Sequence, residues 1–86
     1  MEVSIELTMS PLQDDFEQHI IDFIKVLRSS PFKVLENPLS TQIFGEFTDV
    51  MSFLTDAIED SMSNQDAVLI YMKLVKSNRA DYTPHF

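Results

Sequence analysis

The hydrophobic period of this chain switches from strand to helix twice, and few folds tolerate that order. Residues 3–9, VSIELTM, alternate strictly, with Val3, Ile5, Leu7 and Met9 on one side and Ser4, Glu6 and Thr8 on the other. Period two over such a run specifies a strand with one buried face. Pro11 ends it, because proline cannot donate to a ladder. Over residues 14–29 the apolar positions become Phe16, Ile20, Phe23, Ile24 and Leu27, the stripe of an amphipathic helix. Asp14 and Glu17 have the spacing of a capping box, and Arg28 and Pro31 suit the helix end. Residues 32–37, FKVLEN, predict a second strand, which Pro38 places at a sheet edge. TQIFG is the third strand. Residues 48–62 return to helical period, with Thr48 as cap and Val50, Leu54, Ala57 and Ile58 as the stripe. Residues 67–75, AVLIYMKLV, are the most apolar strand and are expected at the sheet centre.

Strand, helix, strand, strand, helix, strand, with right-handed crossovers, puts both helices on one side of the sheet. The expected fold is α+β: a ferredoxin-like βαββαβ sandwich, with a four-stranded antiparallel sheet and two helices on one face. At 86 residues the chain is one domain, 1–86, with 77–86 as a C-terminal tail. A domain of this size buries roughly 60% of the surface its unfolded chain exposes, so a partner's cover adds useful stability. Tyr82, His85 and Phe86 predict that the tail docks rather than dangles.

The chain has no cysteine, which excludes disulfides and thiolate metal sites. No apolar run approaches the roughly 18 residues of a membrane span, and the N-terminus alternates where a signal peptide would not. A cytoplasmic location is expected, with no membrane partner. A net charge of −8 disfavours nucleic acid and suits a cationic small molecule, or simply solubility. No HExxH, GxSxG or phosphate-loop pattern occurs, and His19 and His85 lie far apart in sequence, so neither catalysis nor a metal site is expected. His19 is expected to be solvated on the first helix; Met9, Met51, Met62 and Met72 are expected to fill the core.

The sheet face away from the helices has no expected cover within the chain. Alternation places Ser4, Glu6 and Thr8 there from the first strand, and Leu69, Tyr71 and Lys73 from the last. From the third strand it receives Gln42 and Phe44, while Thr41 and Ile43 face the helices. Aromatic rings among a few directional polar groups make a small-molecule surface, or equally a subunit interface. Gly45, the only glycine, falls between the third strand and the second helix. That position calls for a positive φ, for a missing Cβ, or for close approach of backbone to a ligand.

VSIELTMSPL, STQIFGEFTDVM and the ending SNRADYTPHF together resemble the YkoF-type thiamine/hydroxymethylpyrimidine-binding family. The likeness runs over nearly the whole chain, and the Ser-Thr segment before the glycine is its most specific part. It implies a ferredoxin-like fold and binding of the thiamine pyrimidine without catalysis or cofactor. The founding type carries two such repeats in tandem and this chain carries one, so a homodimer or dimer of dimers would supply the second. The matching motif adds Ser40 and Thr41 to the residues chosen by facing and chemistry, namely Glu6, Thr8, Gln42, Phe44, Tyr71 and His85. An aminopyrimidine needs an acceptor such as Glu6 or Gln42 and a second polar partner such as Thr41. A cationic thiazolium suits Phe44 and Tyr71. The alternative is a small oligomeric interaction or regulatory module whose open sheet face serves only assembly.

Overall fold

A computed structural model describes residues 1–86. The chain runs β1 (Glu2–Pro11), α1 (Phe16–Arg28), β2 (Lys33–Glu36), β3 (Thr41–Glu46), α2 (Phe47–Ser63) and β4 (Val68–Val75). The strands form one antiparallel sheet in the order β2-β3-β1-β4. This is the ferredoxin-like arrangement expected from the two changes of period.

Cross-strand register explains why the sheet has two unlike faces. Ile5 lies between Ile43 and Leu74, whereas its neighbour Glu6 lies between Gln42 and Lys73. The first row faces the helices. There Val3, Ile5, Leu7 and Ile43 pack with Phe23 and Leu27 of α1 and with Val50 and Leu54 of α2. Each such side chain, fully buried, contributes roughly 1.5–3 kcal/mol.

Several expectations about ends and edges fail. β4 runs along an edge, not the centre. The crossover that carries α2 from β3 passes β1 and must set β4 down on its far side, and that topology outweighs the strand's apolar composition. Leu69, Met72 and Leu74 consequently stay 47%, 40% and 48% exposed. Met62 is exposed as well, so only Met9 and Met51 of the four expected core methionines pack against the core. β2 does take the opposite edge, as Pro38 implied.

The helix starts also differ. α1 is preceded by Asp15, whose side chain makes no capping bond, so the Asp14–Glu17 box does not form. The Asp15 carboxylate instead meets the amide of Gln13 and, at 3.2 Å, Nε2 of His19. The Gln13 hydrogen bond, helped by the nearby imidazole, holds that carboxyl below the usual range. His19 is only 16% exposed at its side chain and is not solvated as expected. At α2 the cap is Glu46, not Thr48; its carboxylate accepts from the Asp49 N–H at 3.0 Å. That bond lowers the Glu46 pKa, because it favours the charged form.

Gly45 is part of β3, and no residue in the chain has positive φ. The missing Cβ is what matters. Gly45 pairs with Val3 on the helix-facing side, and α2 begins two residues later. A Cβ there would lie 2.9 Å from Val50 Cγ2 and 3.0 Å from Phe32 Cδ1. The glycine lets the first turn of α2 fold straight back over its own strand.

Candidate functional site

The open face is not bare. After β4 the chain turns back over the sheet, and residues 77–82 form a strap anchored on Ser4. The Ser4 hydroxyl donates to the Ser77 carbonyl at 2.7 Å and accepts from the Arg79 N–H at 2.8 Å. One side chain thus satisfies two strap groups, and Ser4 is itself buried. Asn78 Nδ2 adds a bond to Glu2 Oε1 at 2.9 Å. The strap is internally tied as well: Arg79 Nε donates to Ser77 Oγ at 2.9 Å, and the Tyr82 N–H donates to the Arg79 carbonyl at 3.1 Å. The tail is thus held at its start by polar contacts and not by the aromatic side chains from which docking was expected; Tyr82 stays 60% exposed. Its end does not dock: His85 packs edge-on to Phe86 alone, and Phe86 is 94% exposed.

Strap and sheet together border an open cavity of about 270 Å³. Glu6, Gln42 and Phe44 line it from the sheet, Lys73 from β4, and Arg79 and Tyr82 from the strap. Phe44 is 4% exposed yet stands apart from the helix-side core, as alternation required. Glu6 is held from the side: Ser40 Oγ donates to its Oε2 at 3.0 Å. Ser40 is in turn positioned by the loop before β3, where Asn37 Oδ1 accepts from the N–H groups of Leu39 and Ser40. The result is an oriented carboxylate, an amide and an aromatic ring around one small volume. Such a set can accept from an amino-substituted heterocycle and contact its ring.

The other residues expected in the site separate from this group. Thr41 is buried on the helix-facing row with Ile43. With Thr8 and Ser40 it lines a second cleft of about 200 Å³, between the β2–β3 loop and α1. Thr8 uses its hydroxyl on the Leu39 carbonyl at 3.3 Å. Tyr71 pairs with Thr8 on the open face but is 61% exposed and outside the cavity. His85 lines none of these volumes. Sequence reasoning missed Ser4, Lys73, Arg79 and Tyr82 as cavity residues. Alternation had put Ser4 and Lys73 on the right face, but nothing local marks the strap, whose partners lie more than 70 positions away. No group of three or more metal-ligating side chains converges anywhere in the chain, and no helix is long and apolar enough to cross a membrane.

The sequence model of a family described as thiamine-binding protein matches residues 5–85. The chain belongs to this family. The match spans both sides of the cavity, from β1 through the strap. Solved structures share the fold. A protein from Streptococcus pneumoniae superposes with a TM-score of 0.84 at 25% identity, covering 94% of this chain and 92% of its own. A putative thiamine biosynthesis/salvage protein from Thermotoga maritima gives 0.81 at 16% identity, covering 90% and 85%. A hypothetical protein from Methanocaldococcus jannascii gives 0.75 at 19%, covering 95% and 84%. No curated protein matches at a significant level. Membership in the thiamine-binding family agrees with the resemblance carried by the two β-strand motifs and the C-terminal segment.

Proposed function

We propose that this protein binds thiamine or its hydroxymethylpyrimidine moiety, without chemical turnover, in the cavity between the open sheet face and the strap, and that it does so in the cytoplasm. The observation that carries the reading is the Glu6 carboxylate, fixed by Ser40 and sharing one cavity with Gln42 and Phe44. An aminopyrimidine offers an exocyclic donor beside ring nitrogens, and Glu6 with Gln42 offers the matching acceptor and donor. Phe44 supplies a face or edge for the ring. Family membership and the salvage-type neighbour support the same ligand class. The family's description speaks for binding rather than catalysis. Isothermal calorimetry with thiamine and hydroxymethylpyrimidine in parallel tests the proposal. Saturable one-site binding of at least one of them is expected; heat-silent titrations with both, at ligand concentrations up to the millimolar range, would remove it.

A second copy of the chain belongs to this reading. β4 presents an unpaired edge, with Leu69 and Tyr71 exposed on one face and Met72 and Leu74 on the other. Its one charged residue is Lys73, little protection against pairing. A homodimer or dimer of dimers that covers this strand, and the Tyr71-bearing half of the open face, would hide that row. Light scattering at micromolar concentration is expected to give a dimer or tetramer mass. A monomer mass would leave the exposed row unexplained and the assembly proposal wrong.

A further inference from the structure

The cations of this acidic chain are not spread evenly. Of its six Lys and Arg residues, Arg28 is bound to Glu36. Three others, Lys33, Lys73 and Arg79, line the hollows beside the strap, Lys33 from the β2 edge of the sheet and Lys73 from the β4 edge. Lys33 pairs with Phe44 across β2–β3 and therefore shares the open face. Lys73 and Arg79 line the ligand cavity. Lys33 and Arg79 line another open cavity of about 720 Å³, and Arg79 and Tyr82 border both it and the first. None of the three forms an ion pair. The carboxylates nearby are Glu6 in the first cavity, Asp81 in the second, and Glu2, whose Oε1 accepts from Asn78 of the strap. Glu6 sits opposite Lys73 in register, yet its hydrogen-bond partner is Ser40. Arg79 spends Nε on Ser77 and keeps its terminal nitrogens free.

We propose that Arg79, Lys73 and Lys33 form an anion seat beside the strap, and that the protein's preferred ligands are phosphate esters of the thiamine or pyrimidine alcohol. The proposal rests on the pyrimidine reading above and adds to it. A ligand with its ring between Phe44 and Glu6 reaches Arg79 with its far end, because Arg79 bounds the same cavity. A guanidinium with two free nitrogens suits a phosphate bidentately, and the two ammonium groups add point charge. A phosphate on the ligand's far end would meet these cations directly and gain an attraction that the bare alcohol lacks.

The test is calorimetry at low salt with thiamine and thiamine monophosphate on the full chain, repeated on Arg79→Gln and Lys73→Gln. The monophosphate is expected to bind about 10- to 100-fold tighter than thiamine, the range of a charge-assisted contact. That advantage, read as the ratio of the two affinities within each protein, should shrink several-fold in each variant. Lys73→Gln leaves the strap's own bonds intact, so it separates lost charge from a loosened strap. Equal affinity of the two ligands, or an advantage untouched by both substitutions, would overturn the seat. If neither organic ligand binds, the pyrimidine reading falls, and inorganic phosphate alone decides the seat. Amide NMR is then expected to show phosphate shifts at residues 77–79 that chloride at equal ionic strength does not produce and that Arg79→Gln abolishes. Phosphate shifts no different from those of chloride would overturn it.

Discussion

Gly45→Ala is expected to destabilise the fold by about 1–3 kcal/mol, the usual cost of forcing a methyl into a filled space. The backbone itself would accept alanine, since Gly45 has no positive φ. By the unfolded-state argument alone, the substitution should even stabilise, by about 0.4–1 kcal/mol. Packing reverses the sign. The new Cβ would stand 2.9 Å from Cγ2 of Val50. Val50 is completely buried and β-branched, so it has no spare rotamer into which to retreat. Phe32, 3.0 Å away on the other side, is partly buried and packs edge-on against Phe53. A β-branched residue at position 45 should cost more than alanine. Chemical denaturation of Gly45→Ala, Val50→Ala and the double variant checks the mechanism. In the Val50→Ala background, which lacks the clashing methyl, the Gly45→Ala penalty should largely disappear. A Gly45→Ala protein as stable as the wild type, or an equal penalty in both backgrounds, would contradict the close-packing account.

Gly45 also shows what local sequence can and cannot say. Its position at a strand-to-helix junction marked it as constrained, but the kind of constraint depended on a residue of α2 folding back over β3. The faces of β1, β3 and β4 were legible because a period of two assigns each residue to a side without knowledge of its partners. Glu6, Gln42, Phe44 and Lys73 thus fall where alternation put them. The position of β4 was misread because an apolar run reports surfaces that need cover, whereas the crossover of α2 decides which strands are neighbours. The exposed Leu69, Met72 and Leu74 are the residue of that conflict. The helix starts were misread because Asp14, Asp15, Glu46 and Thr48 all offer side-chain oxygens, and the choice among them is settled by where the preceding strand or loop releases the chain. The strap was invisible for another reason. It has no hydrophobic period, and its hold on the sheet is two hydrogen bonds to Ser4 and one to Glu2, at the opposite end of the sequence. Thr41 entered the candidate site through its motif and not its facing, and the structure seats it on the helix side.

The second large effect is expected at Glu6. Glu6→Gln keeps the size and most of the shape of the side chain but removes the charge that an aminopyrimidine's donors would meet. Loss of a charge-assisted hydrogen bond costs roughly 1.5–3 kcal/mol, about 10- to 100-fold in affinity. The fold should be unaffected, because Glu6 is only partly buried and turned away from the helix-packed core. Ser40, which donates to Glu6, can donate equally well to the glutamine carbonyl, so the loop before β3 should stay in place. Net charge changes by one unit, and that alone can weaken a cation's binding. Asp22→Asn supplies the control: Asp22 is exposed on α1, where it accepts from Gln18, on the opposite side of the sheet from the cavity. The decisive measurement is a calorimetric titration of thiamine, or of hydroxymethylpyrimidine if that binds more tightly, into wild type, Glu6→Gln and Asp22→Asn. The account predicts a loss of about tenfold or more at Glu6→Gln against a change of less than about twofold at Asp22→Asn. Wild-type affinity in Glu6→Gln, or equal losses in the two variants, would contradict a pyrimidine site on this face of β1.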